Sequence, residues 1–261
     1  MFMADRSMTE RSTADRADRA AAEGRRRPGP RDWGRALRAL RHLLSNNEDT
    51  ARVFEIMRAL NGDVGERNYR RLLTTGEGGR IAYAHVELAR RLMDEAFLDS
   101  LPPGSVGAAY RDFVRGERLS AQGLVQVSQE GLTRVDDPHP YAWMGRRTRD
   151  IHDIWHILTG YGRDALGEAC LVAFSYAQTG GLGWAVIALG AALRRRGGRQ
   201  PYRRAIWQGY RRGRAARWLL GEDYEAVLRE PLDAARRRLG LAPPTVYDAI
   251  PAQARGLTKA A

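Results

Sequence analysis

His152-Asp153-Ile154-Trp155-His156-Ile157-Leu158-Thr159-Gly160-Tyr161-Gly162-Arg163-Asp164-Ala165-Leu166-Gly167-Glu168 is the stretch whose reading decides the fold, because it gathers four metal-binding side chains within 17 positions. His152 and His156 are four residues apart, so a helix over residues 148 to 158 projects both imidazoles from one face, one turn apart. Glu168 must then come from a second helix. Gly160 is a fitting stop for the first, and Asp164 caps a new helix that carries Glu168 near its start. A helix hairpin formed there brings the carboxylate back over the two imidazoles.

Outward from this hairpin the pattern stays helical. Apolar residues recur at helical spacing in Leu37, Leu40 and Leu44, in Val53, Ile56, Met57 and Leu60, and in Val86, Leu88, Leu92 and Met93. Turn signals separate them at Asn61-Gly62, Gly76 to Gly79, Pro102-Pro103-Gly104, Asp136 to Pro138, Gly180 to Gly183, Gly197-Gly198 and Pro243-Pro244. The expected fold is all-α: a single-domain helical bundle with a helix-hairpin metal site. The only short strand expected is Leu124 to Val127. The most apolar stretch, Ala165 to Leu193, is divided by Glu168, Gln178, Thr179 and the glycines at 180, 181 and 183 into pieces too short to cross a bilayer. It reads as two core helices.

Beyond Met1-Phe2-Met3 and Met8, residues 1–31 carry no large apolar side chain, so they cannot bury enough surface to offset ordering and are expected to be a disordered tail. Asp5, Glu10, Asp15, Asp18 and Glu23 argue against a mitochondrial transit peptide. Residues 32–245 are expected to form the domain, and 246–261 a flexible C-terminal tail. Cys170, the only cysteine, excludes an internal disulfide and suits a reducing compartment.

The formal net charge is +12, and ten of the arginines fall between Arg194 and Arg217 with no acidic residue among them. Tyr202, Trp207, Tyr210 and then Trp218 interleave with these cations. The partner of such a segment is anionic: a membrane surface, an acidic protein or nucleic acid. Arginine with interfacial aromatics fits the membrane. No nucleic-acid-binding motif accompanies the cluster, so no nucleic-acid partner is expected.

Two imidazoles and a carboxylate, from His152, His156 and Glu168, suit zinc with an open coordination position and also suit non-haem iron, with zinc placed first. Asp153 lies about 100° around the helix from His152, so it either completes the coordination sphere or orients a histidine. Arg149 and Arg163 are placed to clamp an anionic substrate group. A phosphohydrolase built on the His-Asp pair needs further ligands. His42, His85 and His139 are available for that, but no second His-Asp pair exists.

The spacing His-Asp-x-x-His, eleven residues, Glu resembles the signature of the coenzyme Q biosynthesis Coq-four family, here HDIWHILTGYGRDALGE. Upstream, residues 79–114 (GRIAYAHVELARRLMDEAFLDSLPPGSVGAAYRDFV) resemble its Gly-Arg, Leu-Pro-x-Gly-[ST] and Gly-x-x-Tyr segment. Downstream, AFSYAQTGGLG (173–183) and LGLAPP (239–244) resemble its Gln-Thr-Gly turn and closing element. The likeness covers residues 34 to 245, with a weaker match between Phe113 and Pro140.

The resemblance implies a metal set of His152, Asp153, His156 and Glu168; the catalytic candidates are Arg149, from its place three residues before His152, and Glu168 in the case that it is not a ligand. The resemblance also implies a role in ubiquinone biosynthesis: removal of the carboxyl group from a polyprenylated 4-hydroxybenzoate-type ring, with or without hydroxylation at the same carbon, and organisation of a biosynthetic complex with other ubiquinone-biosynthesis proteins. A prenyl tail needs an apolar lining, for which the residues around the motif and a groove along Gly180, Gly181, Gly183, Ala188, Gly190 and Ala191 are candidates. The rival is a non-catalytic prenyl-lipid scaffold whose structural metal has four protein ligands. The expected place is peripheral, on the cytoplasmic side of a membrane, a bacterial inner membrane before a mitochondrial one. Self-association through the basic, aromatic surface is a further expectation.

Overall fold

Apolar stripes alternating with arginine-rich faces wind the chain into helices almost throughout. The computed structural model describes residues 30–45, 50–116, 139–193 and 200–256. The order begins with α1 (Trp33–Ser45), α2 (Thr50–Leu60), α3 (Val64–Leu73), α4 (Gly78–Ala84), α5 (Leu88–Met93), α6 (Glu95–Asp99), α7 (Val106–Gly116) and α8 (Pro140–Asp150). It continues with α9 (His152–Thr159), α10 (Ala165–Thr179), α11 (Leu182–Leu193), α12 (Gln200–Ala215), α13 (Tyr224–Val227), α14 (Leu232–Leu239), α15 (Thr245–Asp248) and α16 (Ala252–Arg255), with one 3-10 turn at Leu219–Gly221. Among the described residues there is no strand, only an isolated antiparallel bridge between Ser105 and Pro231. The all-α fold is therefore as expected, and Asp32–Ala261 form one compact unit. The tail expected over residues 1–31 falls, but for its last two residues, outside the described residues, as does the strand expected at Leu124 to Val127.

The 15-residue α10 is the axis of the core, with Leu166, Cys170, Leu171 and Phe174 at most 2% exposed. α12 crosses it at backbone contact. A Cβ on Gly209 would stand 2.4 Å from the Cys170 carbonyl oxygen, and one on Gly213 would stand 2.7 Å from that of Phe174. The crossing therefore requires glycine at both positions. Phe174 meets Trp155 of α9 edge to face at 5.7 Å, which ties the motif helix to the axis. α1 and α2 pair and pack on α11, while α7 and α14 pack on α9.

The groove expected along α11 is not left open. A Cβ on Gly183 would meet Met57 Sδ at 2.5 Å, and one on Gly190 would meet Leu40 Cδ1 at 3.0 Å. The small residues serve close helix packing instead. The apolar residues Ile154, Trp155, Leu158, Leu166, Leu171 and Phe174 are likewise ordinary core. The C-terminal stretch expected to be flexible from residue 246 packs through two short helices, with Tyr247 and Ile250 buried. Its helices have only four residues each, too short to show a helical period in the sequence.

Candidate metal centre

The hairpin forms where the sequence places its signals. Gly160 closes α9 in the left-handed region with φ 77°, which favours glycine, and its N–H donates to the His156 carbonyl. Asp164 caps α10 by accepting from the N–H groups of Leu166 and Gly167 at 3.1 and 2.9 Å. Tyr247 donates its hydroxyl proton to Asp164 Oδ2 and accepts from the Gly162 N–H at 3.0 Å. The loop between the helices is thus pinned by the C-terminal stretch.

Arginines from distant helices finish the C-terminal end of α9. Arg236 donates to the carbonyls of Ile157 and Leu158 at 2.9 and 3.2 Å. Arg212 donates to that of Thr159 at 2.8 Å and to that of Ala242 at 2.8 Å through Nε. Arg212 is buried beneath the Tyr161 ring, so this member of the arginine cluster is structural, not membrane-facing. Arg212→Ala leaves the buried Thr159 carbonyl unpaired, takes the donor from that of Ala242 and empties the space beneath the Tyr161 ring. It is expected to destabilise the fold by about 3 kcal/mol, read as a lowered urea midpoint with unchanged slope.

His152, His156 and Glu168 each offer a ligand atom, and these atoms all lie within 4.8 Å of one another. His156 Nδ1 is 2.9 Å from the Tyr161 carbonyl oxygen, which fixes the proton on Nδ1 and frees the Nε2 lone pair. That Nε2 is buried without a hydrogen-bond partner, although Glu168 Oε1 is only 3.3 Å away, because with the proton on Nδ1 the nitrogen and the carboxylate oxygen are both acceptors. Two ligands bound tetrahedrally at about 2.0–2.1 Å stand roughly 3.3 Å apart. The orphaned nitrogen and its neighbouring carboxylate oxygen are therefore spaced to share a cation, and the donor set fits zinc or iron.

Electrostatics at the centre follow from this proximity. Burial by itself pushes the Glu168 carboxyl up, but His156, then His152 and Arg163, hold it below the usual carboxylate range. Burial by itself lowers the His156 imidazole, and Glu168 overrides it upward. The Glu168 side chain keeps 37% exposure, so the centre opens on that side.

The structure does not bring all of the expected residues together. Asp153 is not among the converging side chains. Its Oδ1 faces His152 Nδ1 at 3.7 Å, the orienting position of the two that the helix geometry allows. Burial pushes the Asp153 carboxyl up, but His152, Arg163 and His156 together lower it. Arg149 is engaged by Asp150, with Nε 2.8 Å and Nη2 2.7 Å from Oδ1, so it balances a buried carboxylate. Arg163, in contrast, lies over the Phe113 ring at 5.7 Å and acts on both Asp153 and Glu168. His42, His85 and His139 are outside the cluster, as His85 packs edge-on against Trp143 and His139 caps α8, so among the described residues the hydrolase alternative finds no further histidine ligand.

Two aromatic residues that the motif does not contain shape the centre. Phe113 of α7 stacks on His156 at 5.7 Å, and Trp184 of α11 lies parallel to His152 with ring centres 5.8 Å apart. On α7, one turn before Phe113, Tyr110 is buried among the same charges, and burial with Asp153 and Asp150 pushes its phenol up. No short-range signal marks these roles. Each side chain comes from another helix, and only the packing of α7 and α11 on the hairpin assigns it.

Comparison with known proteins bears on the family and the fold. The family description "Coenzyme Q (ubiquinone) biosynthesis protein Coq4" matches residues 37–245. The chain is 30% identical over 173 residues to the mitochondrial ubiquinone biosynthesis protein COQ4 homologue of Rattus norvegicus, a match covering 64% of this chain and 62% of the relative. It is 29% identical over 177 residues to the Homo sapiens homologue, covering 66% of this chain and 63% of that protein. The matched segment thus spans less than two thirds of these relatives' length. A crystal structure from Nostoc punctiforme PCC 73102, whose description names ubiquinone biosynthesis, superposes with a TM-score of 0.57 at 21% identity, over 80% of this chain and 97% of that one. That likeness concerns the fold. With a match running through the hairpin and most of the helices around it, the chain belongs to the coenzyme Q (ubiquinone) biosynthesis protein Coq4 family.

Proposed function

We propose that this protein acts in ubiquinone biosynthesis as a metal-dependent decarboxylase of a polyprenylated 4-hydroxybenzoate-type ring. The observation that carries the reading is the buried, partnerless His156 Nε2 facing Glu168 beside His152. His152, His156 and Glu168 hold the cation, zinc before iron, and Asp153 keeps His152 oriented. When bound, the metal supplies a positive charge that stabilises a substrate carboxylate or phenolate. Arg163 takes the anion-clamping role that the sequence offered to Arg149 as well, because Arg149 is held by Asp150. In the reaction the bond between ring and carboxyl carbon breaks, its electron pair stays on the ring carbon, a proton replaces it there, and carbon dioxide leaves.

Three converging side chains, and no fourth among the described residues, favour a centre with an open position over a closed structural one. The test is carbon dioxide release from a prenylated 4-hydroxybenzoate analogue, measured with metal content on the same preparation. Arg163→Leu is expected to keep its metal and lose about 10- to 100-fold in turnover, the worth of a charge-assisted hydrogen bond. Glu168→Gln is expected to lose metal and turnover together. If it kept its metal and lost turnover, Glu168 would be the proton-transferring group and not a ligand. Wild-type protein with bound metal and no release would leave the scaffold reading standing.

A further inference from the structure

α11 (LGWAVIALGAAL) has no charged side chain, and Trp184 carries its one hydrogen-bonding group. A helix apolar all round belongs in a core. Gly183, Ile187, Ala188 and Gly190 are indeed buried, yet Leu189 is 58% and Leu193 is 65% exposed. The exposed leucines have apolar neighbours on both sides. Leu40 of α1 seats against Gly190, and one turn before it Leu37 is half exposed, followed on the same flank by Trp33. On the other side Arg203 Nε donates to the Ala192 carbonyl at 3.3 Å, and one turn further along α12 Trp207 is 60% exposed.

The charge carried by these three helices has one sign, although Glu55 of α2 pairs with Arg35 of α1. α1, α11 and α12 contain no acidic residue. Arg204, Trp207, Arg211 and Arg214 follow at intervals of three and four on α12, so the guanidinium groups and the indole share one exposed face. Among the described residues these three arginines have no ion-pair partner.

We infer that the face formed by α1, α11 and α12 seats on a bilayer surface that carries anionic phospholipid. Leu189 and Leu193, exposed on one stripe of α11, form with Leu37, Trp33 and Trp207 of the helices beside it an apolar surface edged by arginine, Arg203 among them, which matches neither a nucleic-acid backbone nor an acidic peptide. An indole among arginines matches the headgroup layer of a bilayer. The same helix leads to the metal centre: Trp184 on its first turn stacks on His152, and Leu189 and Leu193 follow about 7.5 and 13.5 Å along the axis. If the proposed substrate is correct, a prenyl tail can stay in lipid while its ring reaches the centre. The docking face does not depend on that reading.

Flotation of the full chain with phosphatidylcholine vesicles, with and without phosphatidylglycerol, tests the inference. Wild type is expected to float with the mixed vesicles and much less with phosphatidylcholine alone. The pair Leu189→Glu/Leu193→Glu and the pair Arg204→Glu/Arg211→Glu each change only exposed positions and are expected to lower the bound fraction about tenfold or more, with melting temperature and metal content unchanged. Wild type that fails to float with mixed vesicles overturns the inference. So does a leucine pair that floats like wild type while only the arginine pair is impaired, since that pattern marks a purely electrostatic partner. No substrate or turnover enters this measurement, so its failure is separate from failure of the decarboxylase reading.

Discussion

His156→Ala is expected to purify without metal while keeping its helical content. The imidazole contributes the buried Nε2 on which the centre turns, and no neighbouring histidine can replace it, since His42, His85 and His139 are all engaged elsewhere or distant. Loss of a residue that merely supports a ligand costs about 10- to 100-fold in affinity, and loss of a ligand should exceed that. Without metal the variant is expected to be less stable than wild type by about 2–3 kcal/mol, since a buried ring is lost and the Tyr161 carbonyl is left unpaired, so the zinc response of each protein is read against its own metal-free melt. The change removes one hydrogen bond, to the Tyr161 carbonyl, worth about 1 kcal/mol, together with a stacking contact on Phe113. Added zinc should then separate the two proteins: at about 1,000 times the dissociation constant, wild type gains roughly 4 kcal/mol and the variant gains none. Thermal melts with and without zinc read this directly. A variant whose melt rises with zinc as much as wild type would falsify the site.

Gly167→Ala is expected to reverse the usual effect of that substitution. Within a helix, alanine is ordinarily favoured over glycine by up to about 1 kcal/mol. Here a Cβ would stand 2.0 Å from the Gly162 carbonyl oxygen and 2.8 Å from its carbon, both backbone atoms of the hinge, which no rotamer change can relieve. The loop must move off α10, disturbing the Asp164 cap and the Tyr247 hydroxyl that holds it. A destabilisation of about 2 kcal/mol or more is expected, a drop of roughly 4–8 °C in melting temperature for a domain of this size. Metal affinity should fall with it, because Glu168 is the next residue. An unchanged or higher melting temperature would mean that the hairpin is not closed in this way.

The hairpin was legible in the sequence because every signal in it is local. Two histidines at i and i+4, a glycine stop, an aspartate cap and a carboxylate on the first turn mark the two helices and the break between them, while Tyr247, Arg212 and Arg236 from distant segments hold the hinge in place. The same locality made α10 and α11 readable as two helices divided at Gly180, which closes α10 with φ 68°. What could not be read depends on contacts between distant segments. Arg212 looks like one more cation in a basic run, and only the fold turns it inward to the Thr159 carbonyl, 53 residues away. Tyr247 sits in a stretch with no periodicity, and it is the Gly162 N–H and Asp164 that make it part of the hinge. Gly183 and Gly190 are equally compatible with a groove and with a close crossing until Met57 and Leu40 are seen to fill the space. Arg149 and Arg163 stood as equals in the sequence, and Asp150, a single residue from Arg149, separates them by occupying its guanidinium.

The most direct test of the central claim is X-ray absorption at the metal edge of protein purified with its metal in place. The centre described here predicts two imidazole nitrogens at about 2.0–2.1 Å together with carboxylate oxygen, and no sulfur, with the imidazole scattering halved or lost in His152→Ala. A first shell of water oxygens alone, or an imidazole signal that His152→Ala leaves intact, would contradict it.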